Sequence, residues 1–254
     1  MVGLVAARKR LSFNPGKLIA VGPAFVASAL AAFGVEHLVA SRSIMQIVPS
    51  WIPGHLFWTF FIGIALLASA TSLALTRHVR LAATLLGVMF LLFVLLIHLP
   101  NVIAKPERLF WTILLRDLSF AGGAWALAGG RMAVIGRIWI AVAAVFFAVV
   151  YFLHPDIAPG VPLLKLTPPW VPLRLFWGYL MGALLLLAGV ASLVNRRARL
   201  AATWLAIAVT LSVLLVYIPL MALAPTVEAL NYVADTLLYA GTLWLLAQTS
   251  QDFR

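Results

Sequence analysis

The sequence predicts an all-α integral membrane protein: eight transmembrane helices, arranged as two four-helix bundles repeated in parallel. Three observations carry this. Of 254 residues, 64% are hydrophobic and 10% charged, with a mean hydropathy of +1.09. The apolar residues fall in runs long enough to cross a bilayer. The second half of the chain repeats the first.

A soluble domain is about 45–50% apolar and about 25% charged. A chain of this size has too little interior to hide the surplus, so its solvent is lipid. In lipid every backbone amide needs an internal partner, which leaves helices and closed barrels. Barrel strands alternate polar and apolar residues, whereas Leu86–Ile97 and Met181–Val194 are continuously apolar. Helices are therefore expected.

Proline, glycine and charged clusters divide the chain into segments at approximately 18–38, 56–76, 81–100, 109–128, 134–153, 174–194, 200–221 and 230–248. Each is close to the roughly 20 residues that span about 30 Å of hydrocarbon. Residues 1–17 form a basic leading segment, 18–130 the first four-helix unit and 131–254 the second. The first apolar stretch lacks a clear cleavage site and reads as a membrane helix, not a signal peptide.

The net charge is +11. The cations lie in short loops and therefore point to membrane topology, not nucleic acid. One side holds Arg8, Lys9, Arg10, Lys17, Arg77, Arg80, Arg131, Arg137, Arg196, Arg197, Arg199 and Arg254. The other holds Arg42, Lys105, Arg108, Lys165 and Arg174. This imbalance predicts that both termini are cytoplasmic. The chain has no cysteine, which excludes disulfides, thiolate metal sites and iron–sulfur ligation.

Shifted by 119 residues, Trp51-Ile-Pro-Gly-His-Leu-Phe-Trp58 meets Trp170-Val-Pro-Leu-Arg-Leu-Phe-Trp177, and Arg80-Leu-Ala-Ala-Thr84 meets Arg199-Leu-Ala-Ala-Thr203. From Trp51 to Pro100, 20 of 50 positions are identical. With a slip of about two residues the first helices also align, and His37 falls opposite His154. An even number of spans per unit gives both copies one orientation, unlike the inverted repeats of many transporters.

These residues resemble the DoxX-like family of four-helix membrane proteins. The first copy reads Gly34-Val-Glu-His37, Pro49-Ser-Trp-Ile-Pro53, Trp58 to Gly63, Arg77 to Ala83 and His98-Leu-Pro-Asn101. The second keeps His154-Pro155, Pro169-Trp-Val-Pro172, Trp177 to Gly182 and Arg196 to Ala202, but ends its third helix Tyr217-Ile-Pro-Leu220. The resemblance implies a bacterial inner-membrane protein associated with redox chemistry, one branch being similar to membrane subunits of thiosulfate:quinone oxidoreductase. A redox partner protein is the partner it implies, and a quinone the cofactor.

Ionisable residues inside a span cost about 2.5–3.5 kcal/mol each on insertion scales and usually face the bundle interior. Glu36, His37, His98, Arg116, Asp117, His154 and Asp235 form such a set, with Asn101 and Tyr217 at similar depth. Neighbours in a helix point about 100° apart. Pairing is therefore expected between helices: Arg116 with Glu36, and His37 or His98 with Asp117. Asp235 aligns with Arg116, so the two copies are not chemically equivalent, and the first is the better candidate for a working site.

The functional reading is an outward-opening polar pocket for a quinone head group, a small acid or a proton. The structural reading is an ionic network holding helices together. Two of the histidines would suffice for a haem, but their spacing does not demand one, and no metal is expected. No nucleotide loop, catalytic triad or zinc signature occurs. Three functions follow: a quinone-interacting subunit of a membrane redox system, a non-catalytic scaffold or assembly partner, and a carrier for a small solute or proton.

Overall fold

The computed structural model describes residues 21–250. The basic segment 1–17, the first residues of the first expected span, Asp252 and Arg254 lie outside the described residues. Within them the fold is helical, with one isolated bridge pairing Ile157 and Leu166.

Eight long helices follow one another: α1 (Gly22–Val39), α2 (His55–Ala74), α3 (Val79–Ala104), α4 (Arg108–Ala128), α5 (Arg131–Leu153), α6 (Arg174–Leu193), α7 (Ala198–Leu223) and α8 (Val227–Thr249). Six of them, all but α4 and α8, are long and apolar enough to cross a membrane. The chain is thus a multi-pass helical protein suited to a bilayer. The remaining two are those with a buried carboxylate, Asp117 on α4 and Asp235 on α8. They are also richest in buried residues, with Ala234–Thr236 and an unbroken run Leu238–Ala247 on α8. A helix sheathed by protein needs no apolar surface, so its hydropathy falls as its burial rises.

Both halves share local details. The α2–α3 and α6–α7 turns each use two left-handed residues, Thr76 and His78 in one, Asn195 and Arg197 in the other. Trp58 donates to the carbonyl of Pro53 at 3.1 Å, and Trp177 to that of Pro172 at 2.9 Å. Helices α3 and α7 each widen into a π-turn, at Val94–His98 and Val213–Tyr217. Both turns run to two residues before a proline, Pro100 or Pro219. Proline cannot donate to the carbonyl four residues earlier, and its ring crowds that carbonyl. The wider turn relieves the clash and rotates the residue at its end, His98 or Tyr217.

The helices pack in a ring that follows chain order. Helix α1 packs along α2 and α8, and α5 along α6 and α4; α3 lies on α4, α7 on α8, and α4 touches α8 across the middle. The expected pair of self-contained bundles is therefore modified: the first helix of each half packs on its own second helix and on the fourth helix of the other half, rather than on the fourth helix of its own. Glycine permits the close approach at these crossings, as Gly34 and Gly63 do between α1 and α2. A Cβ on Gly122 of α4 would come within 2.6 Å of the Gly136 carbonyl on α5. One on Gly241 of α8 would meet the Gly22 carbonyl of α1 at 3.2 Å. Backbones approach this closely only where side chains are missing.

The connections α1–α2, α3–α4, α5–α6 and α7–α8 gather at one end. Arg108 at the start of α4 reaches the α5–α6 connection, and Asn231 near the start of α8 reaches Glu36 near the end of α1. The opposite end has tight turns, where Arg137 bonds to Asn195.

Candidate functional site

Four of the expected residues meet in one chain of contacts. His98 Nε2 donates to Asp117 Oδ2 at 2.8 Å. Arg116 Nε donates to Asp117 Oδ1 at 2.8 Å, and Arg116 Nη1 to Asp235 Oδ2 at 2.8 Å. The order is His98–Asp117–Arg116–Asp235, linking α3, α4 and α8. At 1.5 Å per residue, Asp117 and Asp235 lie roughly 12–13 Å along their helices from the long-loop end.

Each member is positioned by a neighbour. The π-turn brings His98 to α4. Ser119 Oγ donates to the Arg116 carbonyl at 2.6 Å, and the guanidinium carbon lies 5.8 Å from the centre of the Phe120 ring. The carboxylates are almost closed off, with side-chain exposures of 6% for Asp117 and 2% for Asp235. The bases stay reachable, at 13% for His98 and 17% for Arg116. Charge-assisted bonds of this length are the strong kind, and in a low-dielectric site each partner depends on the others.

The remaining expected residues lie elsewhere. Glu36 does not meet Arg116. It accepts from Asn231 Nδ2 at 3.3 and 3.2 Å, because α1 packs against α8 and not α4. His37 turns inward on its own helix, its Nδ1 donating to the Phe33 carbonyl at 2.8 Å. Asn101 is exposed at the long-loop end of α3, and His154 is exposed just past α5. Tyr217 is buried in the other half, donating to the Ala158 carbonyl at 3.3 Å. The sequence reasoning about helix faces also misjudged Arg116 and Asp117, which bond to each other. Their Cβ atoms do point apart, but three methylenes let the guanidinium reach across.

A second polar cluster was not anticipated. The α5–α6 connection, residues 154–173, dips into the protein, with Ile157, Ala158, Val161 and Leu163 buried. Irregular backbone survives at such depth only if protein satisfies it. Tyr151 donates to the Ala158 carbonyl at 2.7 Å beside Tyr217, while Arg108 Nη1 donates to the Pro162 and Leu163 carbonyls at 2.9 and 3.1 Å. Pro159 and Pro162 lower the demand by having no N–H. The readable signal was composition: Ile157-Ala-Pro-Gly-Val-Pro-Leu163 is too apolar for a solvated loop. A cavity of about 130 Å³ remains beside it, bounded by Lys165, Tyr217, Glu228 and Tyr232.

Among the described residues, no three His, Asp or Glu side chains converge as a metal centre requires.

A protein-family profile described as a domain of unknown function (DUF8561) matches residues 26–105, from within α1 to just past α3. The match includes Glu36, His37, His98 and Asn101 and stops before Arg116 and Asp117. No curated protein and no solved structure matches the chain.

Proposed function

We propose that this is a DoxX-like inner-membrane protein of eight spans, formed by tandem duplication, that interacts with quinone as the membrane subunit of a redox system. Both termini and the basic turns face the cytoplasm. The duplication reading rests on the 119-residue match and on the recurrence of π-turns, tryptophan clasps and left-handed turns. With eight spans, α4 and α8 are the shielded inner pair.

The observation that carries the functional reading is the His98–Asp117 bond within a charged chain that solvent reaches only at His98 and Arg116. A quinone head group needs a hydrogen-bond donor for its carbonyl oxygen, in a site that its apolar tail can approach from lipid. Asp117 occupies His98 Nε2, so the donor to that oxygen is Nδ1 of the doubly protonated ring, oriented by the carboxylate, and the guanidinium beside it favours charge developing on that oxygen. The test is extraction of lipids from the purified protein. Wild type is expected to retain quinone and His98→Ala to lose it, with size-exclusion profiles unchanged. Equal quinone content in both would refute the assignment.

The second reading is a scaffold, favoured by the saturation of Asp117, whose two oxygens are both engaged. It predicts stable co-purification with another protein and no bound small molecule.

A further inference from the structure

The two halves treat corresponding positions differently. Tyr217 stands 119 residues after His98, as Asp235 does after Arg116 and Thr236 after Asp117. At Tyr217 the hydroxyl donates to a carbonyl, and that carbonyl belongs to the chain's own α5–α6 connection. The tip of this connection, Gly160, adopts φ +138, and a Cβ there would lie 2.8 Å from Thr236 Cγ2. The connection therefore rests on the residue next to Asp235.

The α1–α2 connection does nothing comparable. Residues 40–54 form a short helix and a 3₁₀ turn and are exposed or half-buried, with Ser41 alone buried. The α5–α6 connection is five residues longer, enough to dip and return. Filling differs accordingly: 28–33% of the membrane windows of α1–α3 is buried, against 39–44% for α5–α7.

We infer that Ile157–Leu163 fills, from within the chain, most of the site that duplication gave the second half, apart from the residual cavity beside Tyr217, and leaves to a ligand the first half's site, where His98 and Arg116 stay partly exposed and His98 faces the ligand's carbonyl. This rests on the duplication and quinone reading above, and it adds the seal and the carbonyl. The Ala158 carbonyl stands where a ligand's carbonyl oxygen would. Arg108 holds the seal shut by two bonds to the loop backbone. No equivalent residue can hold the α1–α2 connection, since the position 119 residues after Arg108 is Val227.

The chain lacks cysteine, so single cysteines report access directly. We would place His98→Cys and Thr236→Cys separately in the full-length protein in nanodiscs and measure labelling by a water-soluble maleimide. His98→Cys is expected to react and Thr236→Cys to be silent. Adding Arg108→Gln is expected to raise Thr236→Cys labelling roughly ten- to hundredfold, the consequence of losing a charged donor, and to leave His98→Cys unchanged. Ile113→Cys, half-buried one turn before Arg116 on α4, replaces His98→Cys if that variant does not fold.

Equal reactivity of the two positions with Arg108 intact would overturn the seal. So would a silent Thr236→Cys in the Arg108→Gln background. A short-chain benzoquinone is expected to protect Ile113→Cys, one turn before Arg116 and Asp117 on α4, and not Thr236→Cys in the Arg108→Gln background. Absence of protection overturns the quinone and its carbonyl, while the labelling contrast judges the seal alone.

Discussion

Arg116 and Asp235 occupy corresponding positions of the two halves, 119 residues apart, and bond to each other at 2.8 Å. Two helices that meet through equivalent residues would ordinarily oppose like with like. Here one half contributes a cation and the other an anion, so the two positions form a complementary pair where α4 touches α8.

Removing one partner strands the other. Asp235→Leu is expected to destabilise the protein by about 3–5 kcal/mol, read as a fall in thermal unfolding midpoint in detergent. The double variant Arg116→Met/Asp235→Leu removes both charges and is expected to lose less than the two single variants combined. Additive losses would mean that the pair is not coupled.

Asn231 is the only described side chain bonded to the Glu36 carboxylate. Asn231→Leu leaves that carboxylate without its amide, at an expected cost of about 1–3 kcal/mol in chemical unfolding. An unchanged unfolding curve would show that water replaces the amide.

The glycine crossings are expected to resist any side chain. Gly122→Leu drives a side chain into the Gly136 backbone, and Gly241→Leu into that of Gly22. Both should lower the yield of monodisperse protein sharply, as overpacking costs about 1–3 kcal/mol and more where backbone must move. Gly129→Leu is the control for substitution itself: a Cβ there meets nothing within 4 Å, although the left-handed backbone (φ +79) adds strain. A smaller loss at Gly129 than at the crossings is the expected order.

Topology can be tested with the same cysteine-free chain. Arg77→Cys and Arg196→Cys are expected to label from the same face of right-side-out vesicles, and Lys105→Cys from the opposite face. Labelling of positions 77 and 196 from opposite faces would remove the parallel duplication.

Much of the fold was legible because lipid leaves few options. Apolar runs near 20 residues, broken by proline and charge, located helices such as His55–Ala74 and Arg174–Leu193 within a few residues. His98 with Asp117 was readable as one of two alternatives, from depth alone. The partner of Glu36 was not, because depth does not say which helix lies alongside, and the ring places α8 beside α1. The buried α5–α6 connection escaped notice because hydropathy windows register spans and pass over a seven-residue apolar segment flanked by prolines. The charges of α4 and α8 were visible, but their meaning depended on neighbours that sheath them.

The ring closes only when its last helix returns to its first. While the polypeptide is being made, the flank of α1 that will receive α8 stands bare through the synthesis of everything between them. Membrane insertion must therefore keep α1 from pairing with a stranger, and a polypeptide that stops short of α8 leaves that seam open to other membrane proteins or to quality-control proteolysis.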